Sequence, residues 1–175
     1  QSQAWRARAR AMVERYVGGL DPKVEPIGVE RTLAARTARL ALSGRLDRLD
    51  DRDGELVVVD YKTGRRPLTS DDARGSLALA LYAIAAGRTL RRPCRRVELH
   101  HVPTGNVVAW EHTQESLDRQ LARSEAIADE VVAAGIDPQA NAEAFAPRPG
   151  PQCGWCTFRA HCPEGQAAAA ARASW

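Results

Sequence analysis

The run Val57-Val58-Val59, continued by Asp60-Tyr61-Lys62, constrains this chain more than any other stretch. A strand with one wet face alternates apolar and polar residues. Three successive β-branched residues instead mark a strand covered on both faces, at the centre of a layered sheet. Such a strand needs partners. Val24 to Leu33 and Thr37 to Leu46 alternate loosely, and Asp50-Asp51-Arg52-Asp53-Gly54 supplies a turn into Glu55 to Tyr61. Three strands are therefore expected, the last two forming a hairpin.

Helical periods surround them. From Ala4 to Val17, Trp5, Ala9, Met12, Val13 and Tyr16 share one face of an amphipathic helix that stops at Gly18-Gly19. After a turn at Gly64 to Pro67, Thr69 or Ser70 caps a helix with Asp71 and Asp72 in its first turn, running to Ala86. Arg95 to Val102 and Val107 to His112 read as strands joined at Pro103-Thr104-Gly105, and Thr113 caps a long helix to about Ala134. Pro147 to Cys162 is a loop rich in Pro, Gly and Cys, and Ala167 to Ala173 a short helix. The fold class is α/β: a mixed β-sheet flanked by helices, in the order αβββαβ plus an appended strand and helix. At 175 residues the chain can bury a core without disulfide staples. No apolar run approaches the ~18 residues of a membrane span, and no charged-then-apolar leader is present. The expectation is a cytoplasmic protein with no membrane partner. Because the sequence begins at Gln1, it is expected to be the later part of a longer one.

Asp60 and Lys62 lie two apart on the central strand, so both side chains leave the same face, with Cα atoms roughly 6 to 7 Å apart, while Tyr61 faces away. Asp47 lies on the preceding strand, where pairing brings its carboxylate beside Asp60. Two converging carboxylates, completed by a backbone carbonyl such as that of Tyr61, form a hard-oxygen site suited to Mg²⁺ or Mn²⁺. Glu30 is a further carboxylate near the end of the first strand, a place where Glu is more often merely solvated. Of the 25 basic residues 23 are Arg, which singles out Lys62 as a compact ammonium that Arg does not replace. Metal, carboxylates and ammonium together suit in-line attack of water on a phosphodiester. With 11 Asp in the chain, however, Asp-x-Lys arises often enough by chance that the triplet alone is weak.

The wider context strengthens it. Ser43-Gly-Arg-Leu-Asp-Arg-Leu-Asp50, Val57-Val-Val-Asp-Tyr-Lys-Thr-Gly64, Leu79-Ala-Leu-Tyr-Ala83 and Pro147-Arg-Pro-Gly-Pro-Gln-Cys-Gly-Trp-Cys156 with Cys162-Pro163 resemble the PD-(D/E)xK nuclease superfamily. Within it they resemble specifically the RecB-like branch, which includes nuclease domains of bacterial recombination helicase-nucleases and CRISPR-adaptation nucleases. The resemblance runs from about residue 30 to 165. It implies a restriction-endonuclease-like core over 1–146, its N-terminal part missing, and a Cys-rich tail over 147–175 packed on the core. It further implies Asp47 and Asp60 as metal ligands, Lys62 as the catalytic lysine, and a RecB-family exonuclease acting on DNA in recombination, repair or defence, with a helicase as possible partner. Tyr82 matches the Tyr of a Gln-x-x-x-Tyr motif near the active site and, with Arg65 and Arg66 after the lysine, is a DNA-binding candidate. This chain departs from the pattern in having Ala78 where the Gln belongs, and no His before His100 where members carry a metal-binding one. Those departures keep a second reading open, a catalytically silent DNA-binding or scaffolding module. Arg88, Arg91, Arg92, Arg95 and Arg96 crowd the next connection and are expected near the active edge as phosphate contacts.

Cys153-x-x-Cys156-x5-Cys162 places three thiols in a turn-rich loop, and without a secretory signal this favours metal over disulfide. By the same resemblance they hold a 4Fe-4S cluster whose fourth Cys lies upstream of Gln1; zinc bound by the three Cys and His161 is the alternative. Cys94, isolated after Pro93, reads as a buried thiol.

Overall fold

The computed structural model describes residues 2–37, 39–135, 137 and 141–170. The chain divides into two compact units, Gln1–Ala128 and Asp129–Trp175. The first opens with helix α1 (Ser2–Gly18), then strands β1 (Gly28–Arg36), β2 (Ala41–Arg52) and β3 (Glu55–Lys62). Helices α2 (Ser70–Gly75) and α3 (Leu77–Leu90) follow, then β4 (Cys94–His101), β5 (Asn106–Glu111) and the long α4 (Gln114–Ala134), which runs across the division. The sheet has the spatial order β1-β2-β3-β4-β5, antiparallel throughout except between β3 and β4, which the helical crossover makes parallel. This is the mixed sheet with flanking helices that a restriction-endonuclease-like fold requires, and β3 is its central strand.

The reason is the valine run. Leu56, Val57, Val58 and Val59 are all at most 1 % exposed. Leu56 and Val58 face α3 and meet Leu46, Leu49, Leu79, Ala80, Ala83 and Val97 in the main core, while Val57 and Val59 face the other side of the sheet. The β2–β3 hairpin is tighter than expected. Its turn is Asp53-Gly54 alone, with φ of 54° and 89°, the two-residue geometry whose twist matches the flanking strands. Asp50, Asp51 and Arg52 consequently belong to β2, and Asp50 is buried.

The helix expected from residue 70 to 86 is broken in two. Asp72 closes the start of α2, its carboxylate accepting the Thr69 N–H at 2.8 Å and the Thr69 hydroxyl at 2.9 Å. Gly75 then weakens the helix, and Ser76, extended at φ −73° and ψ 104°, caps α3 by accepting the Leu79 N–H. Of the apolar face expected on α1, Trp5 and Val13 remain well exposed, and only Ala9, Met12 and Tyr16 are partly covered.

The second unit holds the end of α4, two 3-10 turns (Pro151–Trp155 and Arg159–His161) and α5 (Pro163–Ala170). Pro163 starts α5 earlier than the alanine run suggests, since proline suits the first helical position. Residues 171–173 of the expected tail helix lie outside the described residues. No helix among the described residues is long and apolar enough to cross a membrane.

Candidate active site

Asp60 and Lys62 emerge at the C-terminal end of β3 on the face turned toward α2 and α3. Their side chains form an ion pair, Lys62 Nζ to Asp60 Oδ2 at 2.5 Å. The lysine is half exposed and the aspartate mostly covered. Despite this contact, Asp60 Oδ2 is a buried acceptor that receives no hydrogen bond of good geometry.

Asp47 reaches the same place by an irregularity in β2. Leu46 and Leu49, three residues apart, both enter the one core cluster, so the alternation of faces changes phase between them, at Asp47-Arg48. Across from this point, between the pairs Val29↔Arg48 and Arg31↔Leu46, Glu30 adopts a left-handed φ of 49°. The β2–β3 ladder runs from Arg52↔Glu55 to Arg48↔Val59. Beyond it, Asp47 Oδ2 accepts the Tyr61 N–H at 2.8 Å in place of a main-chain carbonyl. In a strand the N–H and C=O of one residue point the same way. The Tyr61 carbonyl is therefore directed to the side of the strand where Asp47 stands. Glu30 instead pairs with Arg45 at 3.0 Å on the surface.

This donor set consists of two carboxylates, one of which meets only the lysine ammonium at its buried oxygen, and a nearby carbonyl. Mg²⁺ is commonly held by one or two carboxylates with water and substrate phosphate filling the remaining positions, so the residues present fit such an ion. Among the described residues no group of three or more His, Cys, Asp or Glu side chains gathers as a self-sufficient metal cage.

Beside Lys62 lies a cleft of about 310 Å³ bounded by Gly64, Arg66, Leu68, Ser76 and His101. His101 is buried and hydrogen-bonded through Nδ1 to Thr104 and through Nε2 to the Gly64 carbonyl at 2.7 Å, so it fixes the loop that leaves Lys62. Arg66 lines this cleft but is engaged by both oxygens of Asp72, at 2.6 and 3.3 Å. Arg65 lines a different groove, against α1. Tyr82 lies over β2 so closely that a Cβ on Gly44 would meet its ring at 2.5 Å. Ala78 and Tyr82 border a small cavity of about 210 Å³ above Ser43 and Gly44.

The arginines of the crossover are elsewhere. Because β4 is parallel to β3, the chain returns to the start of β3, and Cys94 pairs with Leu56 while His101 pairs with Lys62. Arg92 pairs with Asp51 and Arg95 with Glu55 at that far end, and Arg88 donates to the Arg36 carbonyl. The expectation that they flank the active edge is overturned by this geometry. Cys94 is a buried thiol whose pKa burial pushes up to about 12.

Sequence reasoning also missed what lies behind Tyr61. Its ring packs edge-on against Tyr16 of α1 and His100 of β4, at 5.6 and 6.0 Å. The Tyr16 hydroxyl hydrogen-bonds His100 Nδ1 at 2.6 Å, and His100 Nε2 contacts Glu98 at 3.0 Å. Glu98 and Asp50, each 2 % exposed, are held by Arg52, Arg96 and Arg48. Burial raises the Tyr16 pKa further above the usual phenol range, with the neighbouring Tyr61 adding to it. The signal was present as period-two charge, Arg48-x-Asp50-x-Arg52 and Arg96-x-Glu98-x-His100, each trio on one strand face.

In the second unit Cys153 and Cys162 come together around Gly165, where a Cβ would lie 3.8 and 3.3 Å from their sulfurs. Each sulfur accepts a main-chain N–H, from Gly150 and Gly165 respectively. Cys156 is exposed.

The sequence model for the PD-(D/E)XK nuclease superfamily matches residues 1–163. No curated protein matches the chain.

Proposed function

The chain belongs to the PD-(D/E)XK nuclease superfamily, and from that premise we propose that it is a metal-dependent deoxyribonuclease of RecB-like type, an exonuclease serving recombination, repair or defence against foreign DNA. The observation that carries this is the meeting of Asp47, Asp60 and Lys62 at one strand end, where Asp47 takes the Tyr61 N–H and Asp60 pairs with the lysine ammonium. Asp47, Asp60 and the Tyr61 carbonyl would hold Mg²⁺ or Mn²⁺. When bound, that ion neutralises phosphate charge and lowers the pKa of coordinated water.

The chain's own residues do the rest. Lys62 offers its ammonium to the attacking water or the phosphate oxygens, and its pairing with Asp60 keeps it aimed at the carboxylate side. The Asp47 clasp on the Tyr61 N–H fixes the end of β3, so that Asp60 and Lys62 keep their spacing. His101 secures the exit loop at Gly64. Arg66 in the cleft beside Lys62, Arg65 in the groove against α1 and Tyr82 over Gly44 are the proposed DNA contacts. A helicase is a fitting partner for such a domain. The test is direct. Purified protein degrades linear DNA in Mg²⁺ or Mn²⁺ and stops when EDTA exceeds the metal; undiminished cleavage in excess chelator refutes the metal site. No cleavage with either metal, on single or double strands, favours the silent DNA-binding or scaffolding module that Ala78 and the lack of a His between Gln1 and His100 would permit.

The cysteine tail is proposed to carry a 4Fe-4S cluster, with its fourth Cys upstream of Gln1. The convergence of Cys153 and Cys162, each receiving a main-chain N–H, supports a thiolate site there. Protein extended upstream and purified without oxygen is expected to be brown and to contain iron and sulfide, with Cys156→Ser losing both. One equivalent of zinc and no iron in that preparation would assign the site to Cys153, Cys156, Cys162 and His161 instead.

A further inference from the structure

Thr63, Gly64 and Arg65, the residues directly after Lys62, form one wall of a groove of about 560 Å³ whose other wall is α1. From α1 come Trp5, Arg8, Met12 and Arg15. Among the described residues no carboxylate lines it, although the chain as a whole carries 22 acidic residues. Arg15 is steadied by donating to the Pro103 carbonyl at 3.0 Å, whereas Arg8 and Arg65 make no ion pair or hydrogen bond among the described residues. Trp5, which also lines the groove, is 64 % exposed. An indole with an open face, three guanidiniums and no acid complement a polyanion that also carries flat apolar groups.

We infer that this groove binds a single-stranded segment of nucleic acid, with an unpaired base on Trp5 and phosphates on Arg8, Arg15 and Arg65. The inference rests on the nuclease reading for its occupant, since the groove is continuous in sequence with Lys62. A duplex keeps its bases stacked in pairs and offers no unpaired face. Trp5 needs an unpaired base face, and aromatic stacking of that kind is tolerant of sequence. The groove therefore selects strand state rather than sequence, and it delivers a single strand to the loop that leaves the candidate lysine.

The test is fluorescence anisotropy of a labelled 15-nucleotide oligo-dT and of a blunt duplex of the same length, titrated with the whole chain in EDTA. Trp5→Ala is expected to weaken oligo-dT binding roughly tenfold or more and to leave duplex binding unchanged, while Trp5→Phe keeps most of the affinity. Arg8→Ala and Arg65→Ala each reduce the slope of log K against log salt by about 0.7. Trp5 is exposed and Ala favours helix, so an unchanged circular dichroism spectrum is expected of the variant. Oligo-dT affinity equal to wild type in Trp5→Ala, or an equal loss on duplex, overturns the groove. Binding in EDTA needs no catalysis. Trp5-dependent binding by protein that never cuts DNA refutes the nuclease reading and leaves the groove standing, whereas unaltered binding in variants of an active nuclease refutes the groove alone.

Discussion

Asp60→Ala and Lys62→Ala should each lower single-turnover DNA cleavage by roughly 10³-fold or more, the scale on which one preorganised electrostatic group in a reaction centre counts. Asp60 supplies one of the two carboxylates, and water alone does not replace an anionic ligand. Lys62→Arg should be nearly as inactive as Lys62→Ala, since a planar guanidinium is bulkier than an ammonium and does not release a proton. Folding should hardly notice. Both side chains keep access to water, Lys62 at 47 % and Asp60 at 18 % exposed, so the charge left behind by either variant can be solvated. Thermal melts within a few degrees of wild type are expected alongside the lost activity. A cleavage rate left intact in either variant would dismiss the assignment of this site.

The sequence made the centre of the molecule legible and its periphery less so. Val57 to Val59 announced the central strand because no other location hides both faces of such a run. Asp60 and Lys62 then followed from a period of two. The break at Ser76 was missed because the apolar pattern of a helix continues across it, and only the cap chemistry of Ser76 after Gly75 marks a new start. The placement of Arg92 and Arg95 was misjudged for a topological reason. Sequence proximity to Lys62 suggested spatial proximity, but a parallel crossover must carry the chain back along the full length of the strand. Asp47 lay in view as a carboxylate, yet its clasp on the Tyr61 N–H depends on a phase change in β2 that no local pattern encodes.

The polar back of the sheet bears the second large effect, on stability rather than chemistry. Glu98→Ala is expected to destabilise the fold by about 3 kcal/mol, the lower end for breaking a buried ion pair, because Arg52 and Arg96 are partly exposed and can turn toward water. For a chain of this size that corresponds to a melting temperature lower by roughly 6 to 12 °C. His100 would also lose the carboxylate that orients it toward Tyr16, loosening α1 from β4 and from the ring of Tyr61. Burial on its own would raise the Glu98 pKa, but hydrogen bonds from His100, Arg52 and Arg96 outweigh it and hold the carboxyl well below the ordinary value of 4.5. The sign follows. Between the depressed folded value and 4.5 the unfolded chain binds more protons than the folded one, so stability rises with pH there. The Glu98 contribution is complete above that window and disappears as pH falls through it. The difference in melting temperature between wild type and Glu98→Gln should therefore be widest at neutral pH and narrow below about pH 4.5. A difference that stays constant from pH 7 to pH 3 would mean that Glu98 acts through its shape and packing, and not as the charged hub joining Arg52, Arg96 and His100.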